Sequence, residues 1–361
     1  MVTSRQPSPD FWKGKRVFVT GHTGFKGGWL SLWLQSMGAV VHGYALEPRS
    51  GPNMFEAARV GEGLASSSIA DIRDYPRLSA ALAAAQPELV LHLAAQPLVR
   101  LSYVHPVETY STNVMGVVHL LEAVRATPTV KAVVAVTSDK CYENQERSYG
   151  YREDEPMGGR DPYSSSKACA ELVAAAYRRS FLASAGVAVA TARAGNVIGG
   201  GDWSSDRLLP DFLRAIDACT PLVIRAPRST RPWQHALEPL SGYLMLAERL
   251  HTEGAAMAEP WNFGPADEDV RTVQWIVEHL QSRYPGLSWN HDQSEHPYEA
   301  AQLTLDSSKA RARLGWRPRW RLESALDKTV TWHQAWRQRA DMRALTLGQI
   351  REYVLAGGDT A

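Results

Sequence analysis

Along the first half of the chain, short apolar runs alternate with longer stretches of helical periodicity. Arg16–Thr20 (RVFVT), Ala39–Tyr44, Glu88–Leu93 (ELVLHL), Lys131–Ser138 (KAVVAVTS) and Val187–Ala192 are too short for buried helices and rich in β-branched residues, which predicts strands. Trp29–Met37, Thr109–Ala126 and Ser164–Ser184 carry the helical pattern between them, and a further short strand precedes Asp71-Ile72. Strands that alternate with helices over short connections imply crossovers, hence a parallel sheet covered on both faces. After about Gly195 the alternation breaks down. Gly199–Gly201, Pro210, Pro221, Pro227 and Pro232 punctuate short elements, and helical patterns return at Ala236–Thr252, Thr272–Tyr284, Ser307–Leu314 and Leu322–Arg337. The expected architecture is α/β: a doubly wound parallel sheet over residues 1–195, with later segments returning to it, and a smaller mixed α/β substrate lobe over 196–361.

Composition changes this picture little. The 361 residues are 44% hydrophobic and 21% charged, and 39 basic against 38 acidic residues leave a net charge of +1. Such a balance favours neither nucleic acid nor an anionic membrane as partner. No run of about 18 apolar residues is present and Met1–Asp10 has no apolar core, so a cytoplasmic location is expected. Cys141, Cys169 and Cys219 are an odd number without CxxC spacing, which argues against a disulfide framework, and neither they nor the histidines show metal-ligand spacing. Only eight of the basic residues are lysine. Lysine can lose its proton when buried and arginine cannot, so Lys26, Lys140 and Lys167 draw interest.

The first strand runs directly into Gly21-His22-Thr23-Gly24-Phe25-Lys26-Gly27, a GxxGxxG loop that opens a helix. Glycines there allow the backbone to approach a pyrophosphate, which then sits on free N–H groups at the helix start, the Rossmann arrangement for a dinucleotide. The acidic residue that usually meets the adenosine ribose is missing: the second strand ends near Ala45, and Arg49 is close enough to meet a 2′-phosphate or to be a solvated loop residue. NAD and NADP are not separated by this site, and weak retention of the cofactor is expected. Asp71 and Ile72 either bracket the adenine or form a surface turn.

Tyr163 and Lys167 lie at i and i+4, one turn apart on one helix face. A cation beside a phenol favours phenolate, and bringing a tyrosine pKa from about 10 to about 7 takes roughly 4 kcal/mol. A phenolate so placed can remove the proton from an alcohol while hydride leaves. The preceding strand ends in Ser138-Asp139-Lys140, where a hydroxyl, an acid and a base would project into the ligand crevice.

Taken together, TGHTGFKG, Leu93-Ala94-Ala95-Gln96-Pro97, the Tyr163/Lys167 pair and Arg193–Gly199 (RAGNVIG) resemble the extended short-chain dehydrogenase/reductase family from Trp12 to about Trp316. LAAQPLVRLSY, TSDKCY, EPMGGRDPYSSSK, GNVIGGGDW, RPWQHALEPLSGY and WNFGP are similar to its nucleotide-sugar 4,6-dehydratases. The resemblance implies NAD, held by Gly21, Thr23, Gly24, Phe25, Lys26, Gly27, Asp71, Ile72, Leu93, Ala94, Ala95, Tyr163 and Lys167. It implies dehydration of CDP-glucose with no net redox change: C4 oxidation by Tyr163, loss of the C5 proton and C6 hydroxyl, and hydride return to C6. Asp139 is then the acid for the C6 hydroxyl, with a raised pKa. Lys140 stands where related dehydratases carry Glu, and either removes the C5 proton or stabilises the enolate-like intermediate. Gln96, Asn196, Arg207, Leu208, Arg225 and Arg231 are implied substrate contacts, and His235 is either a further one or a core histidine. A homodimer or tetramer through Thr109–Ala126 and Ser164–Ser184, and a place in deoxysugar synthesis such as lipopolysaccharide O-antigen, are implied as well. A GDP-mannose-type dehydratase, a nucleotide-sugar 4-epimerase and a non-catalytic dinucleotide sensor remain the alternatives.

Overall fold

The computed structural model describes residues 6–48, 51–147, 149–284, 286–298, 300 and 302–356. Seven strands form one fully parallel sheet. Six come from the first half: β1 (Arg16–Thr20), β2 (Val40–Ala45), β3 (Ser66–Ile69), β4 (Leu89–His92), β5 (Ala132–Val136) and β6 (Ala188–Ala194). The seventh, Pro260–Phe263, comes from the second half and pairs with β6. The spatial order is β3-β2-β1-β4-β5-β6 followed by Pro260–Phe263. Strand order reverses between β1 and β4, and ligands bind at the carboxyl ends of strands beside such a switch point.

Every residue of β4, β5 and β6 is buried, as expected for strands covered on both faces. Polar residues inside them, among them Thr191 and Arg193 of β6, must therefore find partners inside the protein. One face is covered by the helices Phe25–Ser36 and Leu237–Glu253, the other by Tyr75–Ala85, Gly116–Arg125 and Pro162–Tyr177. The helix after the glycine loop begins at Phe25, four residues before the apolar pattern suggests, because Gly24 is its N-cap. The predicted helix Thr109–Ala126 runs from Pro106 to Arg125 with a π turn at Ser111–Met115. The Ser307–Leu314 segment closes in a π turn, Ala310–Leu314.

The smaller lobe is mixed, as expected. Leu222–Ile224 pairs with Trp289–His291, Thr230–Pro232 with Val270–Thr272, and Gln234–His235 with Val197–Ile198. Helices Leu208–Ala218, Val273–Gln281 and Leu322–Arg337 share its core through Phe212, Ile276, Leu280 and Leu326. A last helix, Met342–Leu355, was not evident in the apolar pattern; it docks Tyr353 against Trp33 and Trp320.

Two glutamates on Leu237–Glu253, Glu238 buried and Glu248 half-buried, tie that helix to the segments around Ser8–Trp12 and Arg319–Tyr353. Glu238 accepts from the Arg319 and Trp320 N–H groups and the Tyr353 hydroxyl (2.7 Å), and Glu248 from the Ser8 N–H and the Trp12 indole. Burial raises each to about 7 against the pull of these donors. A carboxyl raised in the folded state binds its proton more tightly there than in the unfolded chain. Its contribution to stability is full below about 4.5, the ordinary glutamate value, and is lost as pH rises through about 7. For Glu238 this amounts to roughly 3 kcal/mol. Glu238→Gln, whose amide nitrogen can donate to Tyr353, should reduce the fall of the thermal midpoint between pH 4.5 and 8 by about half; an unchanged slope in a pH series of melts would contradict this.

Candidate active site

The glycine loop is shaped by backbone crowding. Gly21 has φ +77°, and a Cβ there would lie 2.8 Å from the Ala94 nitrogen; at Gly27 it would lie 2.0 Å from the Gly21 carbonyl oxygen. Gly24 caps the helix with no side-chain bond to its first turn. This is a cradle of bare backbone that a Cβ would fill, and it fits a dinucleotide pyrophosphate. Thr20 holds the neighbouring loop by accepting from the Leu93 and Ala94 N–H groups (both 3.2 Å), with Ala95 following. Thr23 donates to the Leu46 carbonyl (2.9 Å), and Phe25 faces Gly199. Buried His22, lowered to about 4 by burial, fills the space left by Gly43 and bonds Ser67.

At the adenosine end, Ala45 closes β2 with exposed Leu46 and Glu47 after it, and Arg49 lies outside the described residues. Asp71 is held below the usual carboxylate range by its bonds from Arg73 (Nε–Oδ2 2.9 Å). Ile72 is buried against Gly116.

The helix Pro162–Tyr177 is set by Asp161, which accepts from the Ser164 N–H (2.9 Å) and hydroxyl (2.5 Å), with Pro162 at the first position. Tyr163 is buried, and its N–H donates to the Ser102 hydroxyl. Burial pushes its phenol up to about 12; a Ser138 hydrogen bond and the charge of Arg207 pull it down, and Asp139 and Asp161 push it up. Lys167, expected to bias the phenol, is not among these leading influences. Burial lowers Lys167 to about 8, and its ammonium donates to the Val136 carbonyl (3.3 Å).

Ser138 sits in extended backbone at the end of β5 and caps a single 3₁₀ turn, Asp139–Cys141. Its hydroxyl donates to Asp139 Oδ1 (3.0 Å) and accepts from the Lys140 N–H (3.2 Å). Asp139 is 2% exposed, and its other oxygen, buried, has no hydrogen-bond partner and lies 3.1 Å from where a Gly195 Cβ would be. Burial raises its pKa against the pull of Lys140, Ser138 and Arg231. Lys140 is half-buried on the same turn.

Half-buried Lys26, expected as a cofactor-loop residue, also interacts through its charge with Lys167, Arg207 and Asp139. Burial first, then Lys167 and Arg207, lower it to about 7, against Asp139. Its ammonium lies 5.9 Å from the centre of the Tyr243 ring.

Sequence reasoning missed the ion pair under this site. Arg193 of β6 and Glu171, one turn beyond Lys167, are 3% and 5% exposed and meet through two bonds (Nε–Oε1 2.9 Å, Nη2–Oε2 2.8 Å). Thr137 and Thr191 also donate to Glu171, and Arg193 donates to the Tyr142 hydroxyl (2.7 Å), which donates to Asn262. Burial alone would raise Glu171, but Arg193 and the two threonines hold it below the usual range. A charged residue in a buried strand of otherwise uncharged residues was the available signal.

The remaining expected residues divide. Arg207 lies 3.7 Å from Asp202, and its charge bears on both Tyr163 and Lys26; Arg231 is 7% exposed and its charge bears on Asp139. Asn196 is half-buried just after β6, and Leu208 opens its helix. Arg225 pairs with Asp206 (2.7 Å). Gln96 and His235 point inward instead. The Gln96 amide bonds Leu98 and Thr109, shaping its own loop. His235 is fully buried between Trp29 and Trp320 and accepts from the Leu237 N–H, with burial lowering it to about 3. Among the described residues, no group of three or more His, Cys, Asp or Glu could hold a metal ion.

A parallel sheet with a glycine cradle at its switch point, a Tyr–Lys helix beside it and a buried carboxyl at the next strand end define a dinucleotide-dependent enzyme of the extended short-chain type. The chain belongs to the GDP-mannose 4,6-dehydratase family, whose model matches residues 18–329. It is 56% identical over 353 residues to the CDP-glucose 4,6-dehydratase of Salmonella typhimurium, covering 96% of this chain and 98% of that one. A dTDP-glucose 4,6-dehydratase of Xanthomonas campestris is 27% identical over 89% of this chain and 94% of its own. Among solved structures, the dTDP-glucose 4,6-dehydratase DesIV from Streptomyces venezuelae, with NAD and TYD bound, has a TM-score of 0.77 at 24% identity, covering 90% of this chain and 99% of that one. An epimerase from Methanothermobacter thermautotrophicus has a TM-score of 0.79 at 21% identity, covering 91% and 96%.

Glu171→Gln leaves Arg193 buried without its counter-charge. Urea unfolding should show a loss of about 3–5 kcal/mol. A loss below about 1 kcal/mol would remove the pair from the account of the site.

Proposed function

We propose that this protein catalyses the NAD-dependent dehydration of CDP-D-glucose to CDP-4-keto-6-deoxy-D-glucose, a hydro-lyase reaction. The observation that carries the reading is Asp139: a buried carboxyl, raised in pKa, with one oxygen free of partners, at the strand end next to the Tyr163 helix. A 4-epimerase needs no such acid, and the full-length identity to a CDP-glucose 4,6-dehydratase supports the same substrate.

The residues present fit NAD: the cradle at Gly21, Gly24 and Gly27 takes the pyrophosphate, and Lys167 the nicotinamide ribose. The dinucleotide would supply reversible hydride acceptance, from C4 and back to C6. Tyr163 takes the proton of the C4 hydroxyl. With burial holding the phenol up near 12, cationic neighbours must favour its ionised form, and Arg207 is the protein's leading charge in that direction. Ser138 bonds the reacting hydroxyl. Asp139, protonated because burial penalises its charge, gives its proton to the departing C6 hydroxyl. Lys140 acts at C5, as base if neutral or as enolate stabiliser if charged, and the base role is favoured. Arg207 and Arg231 neutralise the diphosphate.

We further propose a homodimer, the simplest of the closed assemblies, through the helices around Pro106–Arg125 and Pro162–Tyr177. Val107, Met115, Leu172 and Phe181 are exposed along them, Val107 at 79%. Large apolar side chains exposed on both segments favour burial against a second copy. A sugar-nucleotide substrate supports a cytoplasmic location, and a 4-keto-6-deoxy product supports a role in deoxysugar synthesis for surface polysaccharide such as lipopolysaccharide O-antigen. Among the described residues, no helix is long and apolar enough to cross a membrane.

Incubation with CDP-glucose and NAD should give a product lighter by one water with no net reduced cofactor. An unchanged mass with inverted C4 would mean an epimerase, and no turnover of any sugar nucleotide a sensor. Run in deuterated water, Lys140→Met should still oxidise C4 but block exchange at C5; normal exchange would remove Lys140 from the mechanism.

A further inference from the structure

We infer that the base of the nucleotide sugar is read in a cavity beside the helix Leu208–Ala218, where Asp211 accepts a hydrogen bond from an exocyclic amine and so selects cytosine. The inference rests on the nucleotide-sugar reading above and deepens it. It is an open groove of about 660 Å³, and its walls include Arg100, Asp211, Arg214, Leu222, Arg225 and Glu295.

Its place follows from contacts that lead away from the reacting centre. Arg207 acts on Tyr163 through its charge. The preceding residue, Asp206, pairs with Arg225 (2.7 Å) and lies 3.9 Å from Arg100, and both arginines line the cavity. Tyr163, then Arg207, then Asp206 and the cavity repeat the order of sugar, diphosphate and nucleoside along the substrate.

The chemistry of the wall separates the pyrimidines. Cytosine shows an amine donor beside two acceptors, a ring nitrogen and a carbonyl. Uracil and thymine show a carbonyl where cytosine has the amine, and a ring N–H where it has an acceptor. A protein edge that matches cytosine must put an acceptor next to donors. Asp211 and Arg214, one turn apart on the helix, form such an edge as an ion pair. Arg214 is oriented by the Trp203 and Ser204 carbonyls (3.0 and 3.1 Å), and these bonds with the one to Asp211 do not exhaust its five N–H donors. The Asp211 carboxylate, 35% exposed, keeps lone pairs for a second donor. Acceptor beside donor is the pattern guanine presents to cytosine. Facing uracil, the carboxylate would meet a carbonyl oxygen with no proton between them.

The test is binding of CDP and UDP themselves to the NAD-saturated enzyme, by titration calorimetry, in the native protein and in Asp211→Asn. An amide keeps the size of the side chain and can turn its N–H toward a uracil carbonyl. The native protein should prefer CDP, and the variant should lose roughly ten- to hundredfold of that preference. Should the amide variant fold poorly, Asp211→Ser removes the carboxylate from the same half-exposed face and is expected to lose the preference equally. A preference unchanged by the substitution, or a native protein without one, overturns the inference. Turnover of CDP-glucose by the native protein is scored separately: turnover with an unchanged base preference in the variant sinks the base assignment alone, and no turnover sinks the functional reading.

Discussion

The ion pair between Glu171 and Arg193 is the constraint on which the site depends. Two charges withdrawn from water cost several kcal/mol each, and their attraction offsets that only if every remaining hydrogen-bonding position is filled. Here they are filled by Thr137, Thr191 and Tyr142, which lie at the end of β5, in β6 and just after the Asp139–Cys141 turn. Thr137 precedes Ser138; Glu171 is one turn from Lys167; Arg193 is two residues before Gly195, against which Asp139 packs. A shift in any one element would leave a buried charge short of a partner. The ends of β5 and β6 and the Tyr163 helix are thereby locked in register.

That lock fixes the positions of the titratable groups around it. Burial raises both Tyr163 and Asp139, and different cations pull against it: Arg207 at the phenol, Lys140 and Arg231 at the carboxyl, one oxygen of which has no hydrogen-bond partner. The proposed chemistry needs a base and an acid in the same small volume at neutral pH, and differing environments for two titratable groups are the means by which one site supplies both. Lys26 and Lys167, both lowered by burial, add cations whose charge depends on what occupies the crevice.

Much of this was legible in the sequence because it is local. β-branched runs, the glycine spacing and the i, i+4 pair each report on a few neighbouring residues, and the sheet, cradle and Tyr163 helix follow from them. What was not legible depends on distant contacts. Pro260–Phe263 is four residues long and becomes a strand only because β6 offers an edge, and Met342–Leu355 shows little apolar stripe because it is held partly through Tyr353 and Glu238. Gln96 and His235 sit in motifs that suggest ligand contact, but the Thr109 hydroxyl and the Trp29 and Trp320 rings turn them inward. Spacing cannot show direction of that kind.

The central claim is that Tyr163 and Asp139 act at separate stages, oxidation first and water loss second. Stopped-flow absorbance of Asp139→Asn mixed with CDP-glucose and NAD tests it most directly. Reduced cofactor should accumulate to a stable level, because C4 oxidation persists while the C6 hydroxyl cannot depart. Dehydrated product at the native rate, with no accumulation, would contradict the assignment of the acid and with it the account of the site.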